Sequence, residues 1–519
     1  MTASGNFREK AQAFLAIASQ FRLGELPTEQ PHPLTGNLSE LAESDLAGAL
    51  AILHRVDMQA LEILADNCVE QIRLMAQRIR QTLDNGKTVY LCGCGATGRL
   101  SLACETLWHC RHRGDKIDNK VIGFMAGGDA ALVRSIEDFE DHPEYGARQL
   151  MELGFGAGDL LISCSEGGET PFVIGATVYA AETSANPPFF LYCNPDEILA
   201  TVARRSSQVI KDSRIEKINC TVGPMAITGS TRMQASTVLM ASVGCALLWH
   251  SEPEKIGLAM DALIGAWRAT DPGFLARFIV REAEAYRRGE YVDYLTDYTL
   301  AVTILTDTTE RSPTFSMIPF ENSLDVDTDT RHSACYLFMP EAAESAAAWE
   351  SILGRSPRTL EWESIKGVAS HERLLGFDFS VIGSGLRHGS LAAAAHHCFS
   401  IMNRPDRLAF EFDGDRHDVV TSGTDLLSRH LVLKMLLNMH STLVMARLGR
   451  FEGNVMTWVK PSNNKLIDRA IRYADFLLKK NGISVTYEQL VYACFELQES
   501  VGPDQSLVHA LVRKFMNRA

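Results

Sequence analysis

Three short stretches combine glycines with hydroxyls immediately before a helix-like segment. In VYLCGCGATGRLSLACETLW (residues 89–108) a hydrophobic strand runs into Gly93, Gly95 and Gly98, with Thr97 inside the turn. SEGGETP supplies Ser165, Gly167, Gly168 and Thr170, and TGSTR supplies Thr228, Ser230, Thr231 and Arg232. Backbone N–H groups at a helix start, the helix dipole and a hydroxyl converge well on three anionic oxygens, so each stretch suits a phosphate monoester. Any one of them alone reads as an ordinary N-cap. Three of them, two at the C-terminal ends of strands where open α/β sheets take ligands, read as a phosphate site. The G-x-G-x-x-G spacing also matches a dinucleotide loop, but that site needs an acidic residue closing the second strand. Here the strand ends in FMAGGD: Asp129 lies too far along, and Asp115 and Asp118 precede the strand.

Such loops need strands and helices to hold them. MQALEILADNCVEQIRLMAQRIRQTLDNG repeats apolar residues at helical spacing and closes on Asn85-Gly86. Short apolar runs then alternate with helical ones: strands KTVYLC, KVIGFMA, DLLISC and PPFFLYC, and helices from Leu100, over DAALVRSIEDFED, over TPFVIGATVYAAE and over TRMQASTVLMASVGCALLWHS. This is the pattern of an α/β fold whose parallel sheet is covered on both faces. The outline repeats, with Gly86 to Gly289 an offset of 203 and Met240 to Lys434 one of 194, so two α/β domains in tandem are expected. The second copy has Thr296, Asp297 and Tyr298 where the glycine loop should be. GSGLRHGS (383–390), after a strand FDFSVI, reads as its counterpart of SEGGET, with Arg387 available to a second anion. His396 and His397 fall in LAAAAHHCFSIM, which reads as a packed helix rather than a ligand pair. The expected division is an N-terminal helical segment over 1–55, domains over 56–285 and 286–455, and a C-terminal helical lid over 456–519.

The 519 residues include 50 Lys+Arg and 64 Asp+Glu, a net charge of −14. That balance argues against nucleic acid or an anionic membrane as main partner. The N-terminus lacks a basic region followed by an apolar core, and FFLYC is too short to span a bilayer, so a cytoplasmic protein is expected. Twelve scattered cysteines fit reduced, buried thiols. WHCRH (His109, Cys110, His112) lacks the two further ligands a zinc site needs, so neither metal nor cofactor is expected.

GCGATGR, MAGGDAALVRSIEDFED, TPFVIGATVYA, VGPMAITGSTRMQAST and NVMTWVKPSNNKL together resemble the sugar isomerase (SIS) superfamily. Within it they are similar to the branch of N-acetylmuramic acid 6-phosphate etherase and glucokinase regulatory protein, and the tandem layout resembles the latter. The resemblance implies flavodoxin-like parallel sheets flanked by helices. It implies a sugar-phosphate ligand held by Gly95, Thr97, Gly98, Ser165, Gly168, Thr170, Ser230 and Thr231, with Lys465 of SNNKL on the phosphate. It also implies two glutamates, Glu140 in IEDFED as base and Glu310 in TDTTERSPTF as acid. The first domain has Leu107 where the second glutamate belongs, so one composite site built from both halves is expected. Gln234 stands where a lysine is common, and Glu166 and Glu169 occupy a loop that is otherwise Ser-Gly-Arg-Thr.

These residues favour a carbon–oxygen lyase acting on an amino-sugar 6-phosphate. The alternatives are a sugar-phosphate sensor that controls a sugar kinase, and an aldose–ketose isomerase. A fused chain satisfies internally the interface that a single-domain etherase builds by pairing, so a monomer and a homodimer both remain open.

Overall fold

The computed structural model describes residues 6–18, 23–136, 139–202, 204–325, 331–461, 464–502 and 505–517. Asp45 caps the 39-residue helix Leu46–Asp84 by accepting from the Gly48 N–H, and Asn85 with left-handed Gly86 ends it. The helix passes through residue 55 without a break. Its stripe from Leu53 through Leu64 and Ile72 to Ile79 is buried against helix Gln234–Leu248 and the first sheet.

That sheet holds β1 (Val89–Gly93), β2 (Val121–Met125), β3 (Leu160–Cys164), β4 (Phe189–Tyr192) and β5 (Glu216–Asn219) in the order β2-β1-β3-β4-β5. Every pair is parallel, and the first four strands are almost wholly buried, as their unbroken apolar runs require. The second sheet holds β6 (Tyr291–Thr296), β7 (Cys335–Phe338), β8 (His396–Arg404), β9 (Arg407–Phe412) and β10 (Asp415–Val420) in the order β10-β9-β8-β6-β7. It departs from the all-parallel expectation. β6 is parallel to β7 and β8, but β8, β9 and β10 form an antiparallel meander. Asp413 (φ 48°) and Gly414 (φ 84°) make its last turn, with positive φ at both central residues as tight hairpins demand.

Three further expectations change. DAALVRSIEDFED is not one helix but two 3-10 turns, Asp129–Leu132 and Phe139–Asp141, with Glu137 and Asp138 outside the described residues. GSGLRHGS is not a loop: Ser380 caps a helix, Val381–Ser390, through the Gly383 N–H, and FDFSVI is no strand. Arg387 is buried there and committed to Glu321 and the Ser333 carbonyl, so no second anion loop exists at this place. LAAAAHHCFSIM is not helical, since His396 begins β8.

The halves pack through their long helices. Gln234–Leu248 lies on Leu426–Arg447, and Ala96–His112 lies on Ala301–Phe315. Lys434 reaches across to the carbonyl of Arg232 (2.9 Å) and to Thr237 Oγ1 (2.8 Å). Arg355 and Arg358 of the second half hold Glu105 at 3.0 and 2.6 Å, and Arg355 also holds Asp129 at 2.6 Å. Helices Asn464–Lys480, Tyr487–Gln498 and Leu507–Met516 close the chain, and helix Asn6–Ile17 joins them, with Phe14 5.9 Å from Phe495. No helix among the described residues is long and apolar enough to cross a membrane. Every cysteine is a free thiol, and only Cys398 is exposed.

Candidate active site

The strand–turn–helix at Gly93 is built by close contact. A Cβ on Gly93 would lie 2.2 Å from the Thr97 backbone, and one on Gly98 2.5 Å from Met125 Cβ. Gly95, with φ 56°, stands at the start of helix Ala96–His112. Gly98 therefore allows the helix to pack closely on the strand. Gly98→Ala is expected to cost about 1–3 kcal/mol of stability through overpacking, and an unchanged urea midpoint would refute that.

Thr97 departs from expectation as well. Its hydroxyl donates to the Cys94 carbonyl (2.8 Å) and accepts from the Cys94 N–H (2.9 Å), leaving it 1% exposed. The loop consumes the hydroxyl that was to meet the phosphate. Ser165 is likewise fully buried, bonded to Thr170 Oγ1 at 3.0 Å and to the Thr170 N–H at 3.3 Å, so it orients Thr170. Gly168 (φ 75°) packs on Leu199.

The other expected residues meet. A cavity of about 230 Å3 is lined by Gly95, Glu140, Thr170, Ser230, Thr231, Glu310 and Lys465. Glu140 comes from the 3-10 turn Phe139–Asp141 and accepts from Cys94 Sγ at 3.5 Å. Glu310 comes from helix Ala301–Phe315 in the second half and pairs with buried Arg99, whose Nε is anchored on the Leu132 carbonyl at 3.1 Å. Lys465 pairs with Glu169 at 2.9 Å, and Arg205 holds the same carboxylate at 3.0 Å. Burial opposes the Lys465 charge, but Glu169 and Glu140 outweigh it and hold the ammonium up at about 12.

Glu166 differs from the other carboxyls of the cavity. It is 9% exposed, and among the described residues neither its Oε1 nor buried Ser230 Oγ has a hydrogen-bond partner. Burial, reinforced by the charge of Glu310, pushes Glu166 up to about 7. Two residues escaped sequence reasoning, Glu29 on the cavity wall and Arg99 behind Glu310. Glu29 is held by Arg469 and, at 3.1 Å, by Arg472, and despite burial these cations keep it at about 2. Arg99 lies within GCGATGR, but only the fold shows that its partner is Glu310. Gln234, noted for replacing a lysine, bonds buried Asp57 at 2.7 Å and the Ala226 N–H at 2.9 Å.

A family profile for the glucokinase regulatory protein N-terminal SIS domain matches residues 69–181. An N-acetylmuramic acid 6-phosphate etherase from Rhodopirellula baltica is 33% identical over 262 residues, which are 49% of this chain and 78% of that protein. The chain belongs to the N-acetylmuramic acid 6-phosphate etherase family. A second member, from Brucella anthropi, is 31% identical over 292 residues, covering 54% of this chain and 87% of its own. Among solved structures, a putative tagatose-6-phosphate ketose/aldose isomerase from Clostridium novyi is 10% identical at a TM-score of 0.44, over 78% of this chain and 91% of that one. That likeness is too slight to bear on function. The etherase-family match takes in about half of this chain, whereas the cavity draws on residues from Leu26 to Arg469.

Proposed function

We propose that this etherase-family chain is a lyase that releases lactate from N-acetylmuramic acid 6-phosphate at one site between its two halves. The observation that carries the reading is the shared cavity, where Glu140 of the first half and Glu310 of the second face the same space as Lys465, Thr170, Ser230 and Thr231. The sugar phosphate lies with its phosphate toward Lys465, the hydroxyls and the N–H groups of the loops.

Glu140 removes the C2 proton of the open-chain aldehyde. The C2–H electrons become the C2=C3 bond, and the C3–O electrons leave on the lactyl oxygen. That oxygen takes a proton from Glu166, which burial and the charge of Glu310 hold protonated to about pH 7, while Glu310 lines the same cavity paired with Arg99. Water then adds across C2=C3, hydroxyl to C3 and proton to C2, giving N-acetylglucosamine 6-phosphate. Each positioned acid or base contributes about 10²–10⁴ in rate.

The test is lactate release by the purified chain. No lactate, with the product sugar phosphate still bound, would replace the lyase by a sensor, the reading that the regulatory-protein profile favours. Glu166 adds a pH dependence. Its folded value of about 7 lies above the ordinary 4.5, so its contribution to stability is full below the unfolded value and is lost as pH rises through 7. The same ionisation places a carboxylate beside the bound phosphate. Calorimetric titration with N-acetylglucosamine 6-phosphate is expected to show affinity falling above pH 7 in the wild type and staying level in Glu166→Gln. A level wild-type profile would refute this.

A further inference from the structure

Asp293, His388 and His396 form a cluster outside the sugar-phosphate cavity. Asp293 stands midway along β6, His396 opens β8 beside it, and His388 comes from the last turn of helix Val381–Ser390. One donor atom from each lies within 4.8 Å of the others. Asp293 Oδ2 is 2.6 Å from His388 Nε2 and 3.1 Å from His396 Nδ1. The cluster sits toward the N-terminal ends of the parallel strands β6 and β8, away from the C-terminal ends where open α/β sheets hold substrates. It is not the second half's version of the sugar site.

The charge balance singles it out. Asp293 is 5% exposed, and among the described residues neither its Oδ1 nor buried His396 Nε2 has a hydrogen-bond partner. A carboxylate buried to that degree needs both oxygens compensated, and among the described residues only Oδ2 has partners, His388 and His396. Arg387 feels the Asp293 charge, but its guanidinium is engaged by Glu321 and the Ser333 carbonyl. Tyr291 packs against His396 with ring centroids 5.4 Å apart, and Cys398 is the register partner of Asp293 across β6 and β8. The His388 side chain, 45% exposed, opens the cluster to solvent on one side.

Two imidazole nitrogens and a carboxylate oxygen are the donors that zinc, cobalt and iron(II) take, whereas magnesium and calcium prefer oxygens alone. Bonds of about 2.0–2.1 Å in a tetrahedron put ligand atoms about 3.3 Å apart, so an ion would lengthen the 2.6 and 3.1 Å contacts of Asp293 by about 0.7 and 0.2 Å. We propose that Asp293, His388 and His396 bind one divalent transition ion of the zinc class, with solvent completing its coordination. The ion offsets the Asp293 charge and ties helix Val381–Ser390 to β6 and β8.

The test titrates the chelator-treated full chain with cobalt(II), then with zinc(II). One cobalt per chain with the intense visible absorption of a tetrahedral site, displaced by zinc, is expected. His388→Ala, at a half-exposed position that leaves the core intact, is expected to weaken binding by about 100-fold or more, beyond what loss of an outer partner costs. Zinc is expected to raise the melting temperature of the wild type and not of that variant. No absorption change at a large excess of cobalt overturns the proposal. So does equal binding by wild type and His388→Ala, which would place the ion elsewhere on the chain.

Discussion

Glu140→Gln is expected to lose lactate release by about 10²–10⁴ in kcat while KM for N-acetylmuramic acid 6-phosphate changes little. Glutamine keeps the size and one acceptor oxygen but cannot take the C2 proton, so binding survives and chemistry does not. Among the described residues the side chain's only hydrogen bond comes from Cys94 Sγ, a weak donor whose loss leaves the fold untouched. Stopped lactate assays beside calorimetry with the product separate the two quantities. A variant with wild-type kcat would remove Glu140 from the mechanism, and one that no longer binds product would make it a binding residue.

The second large effect concerns the clamp between the halves. Arg355→Ala is expected to lower stability by about 3–5 kcal/mol, because it strips a guanidinium from two buried carboxylates at once. Glu105 is 1% and Asp129 2% exposed, and Arg358 contacts only the first of them by side chain. Despite burial, Arg355 and Arg358 hold Glu105 down at about 2. A folded value below the ordinary 4.5 means that the Glu105 contribution is present above the unfolded value and lost as pH falls toward 2. Urea unfolding at neutral pH and again near pH 4 is the measurement. Arg355→Ala is expected to narrow the gap between the two midpoints as well as lower both, and midpoints equal to those of the wild type would sink the idea.

Much of the fold is legible before any coordinates. β1 to β4 are short apolar runs, and such runs between helical patterns leave little choice but a parallel sheet covered on both faces. The second half misleads because its glycines do not mark its loops. HHCFSIM runs on from an alanine stretch and so reads as helix, and the three glycines of GSGLRHGS make it pass for a loop although Ser380 caps a helix there. The misreading hid a functional contrast: strand alternation sends His396 to Asp293 and turns His397 to Glu290 and Asp413.

The candidate site divides in the same way. Residue types and motif order bring Glu140, Glu310, Thr170, Ser230, Thr231 and Lys465 to one cavity. Which hydroxyl is free is another matter, because that depends on backbone torsions in the turn: Thr97 folds back on Cys94 whereas Ser230 finds no partner among the described residues. Glu29 and Arg99 escape notice because their partners lie hundreds of residues away in sequence, at Arg469 and Glu310.

A site whose walls come from both halves of one polypeptide answers differently to dilution than one shared by two molecules. Glu140 and Glu310 cannot drift apart by dissociation, since one folded chain carries both. Activity per molecule should then stay constant however scarce the protein is.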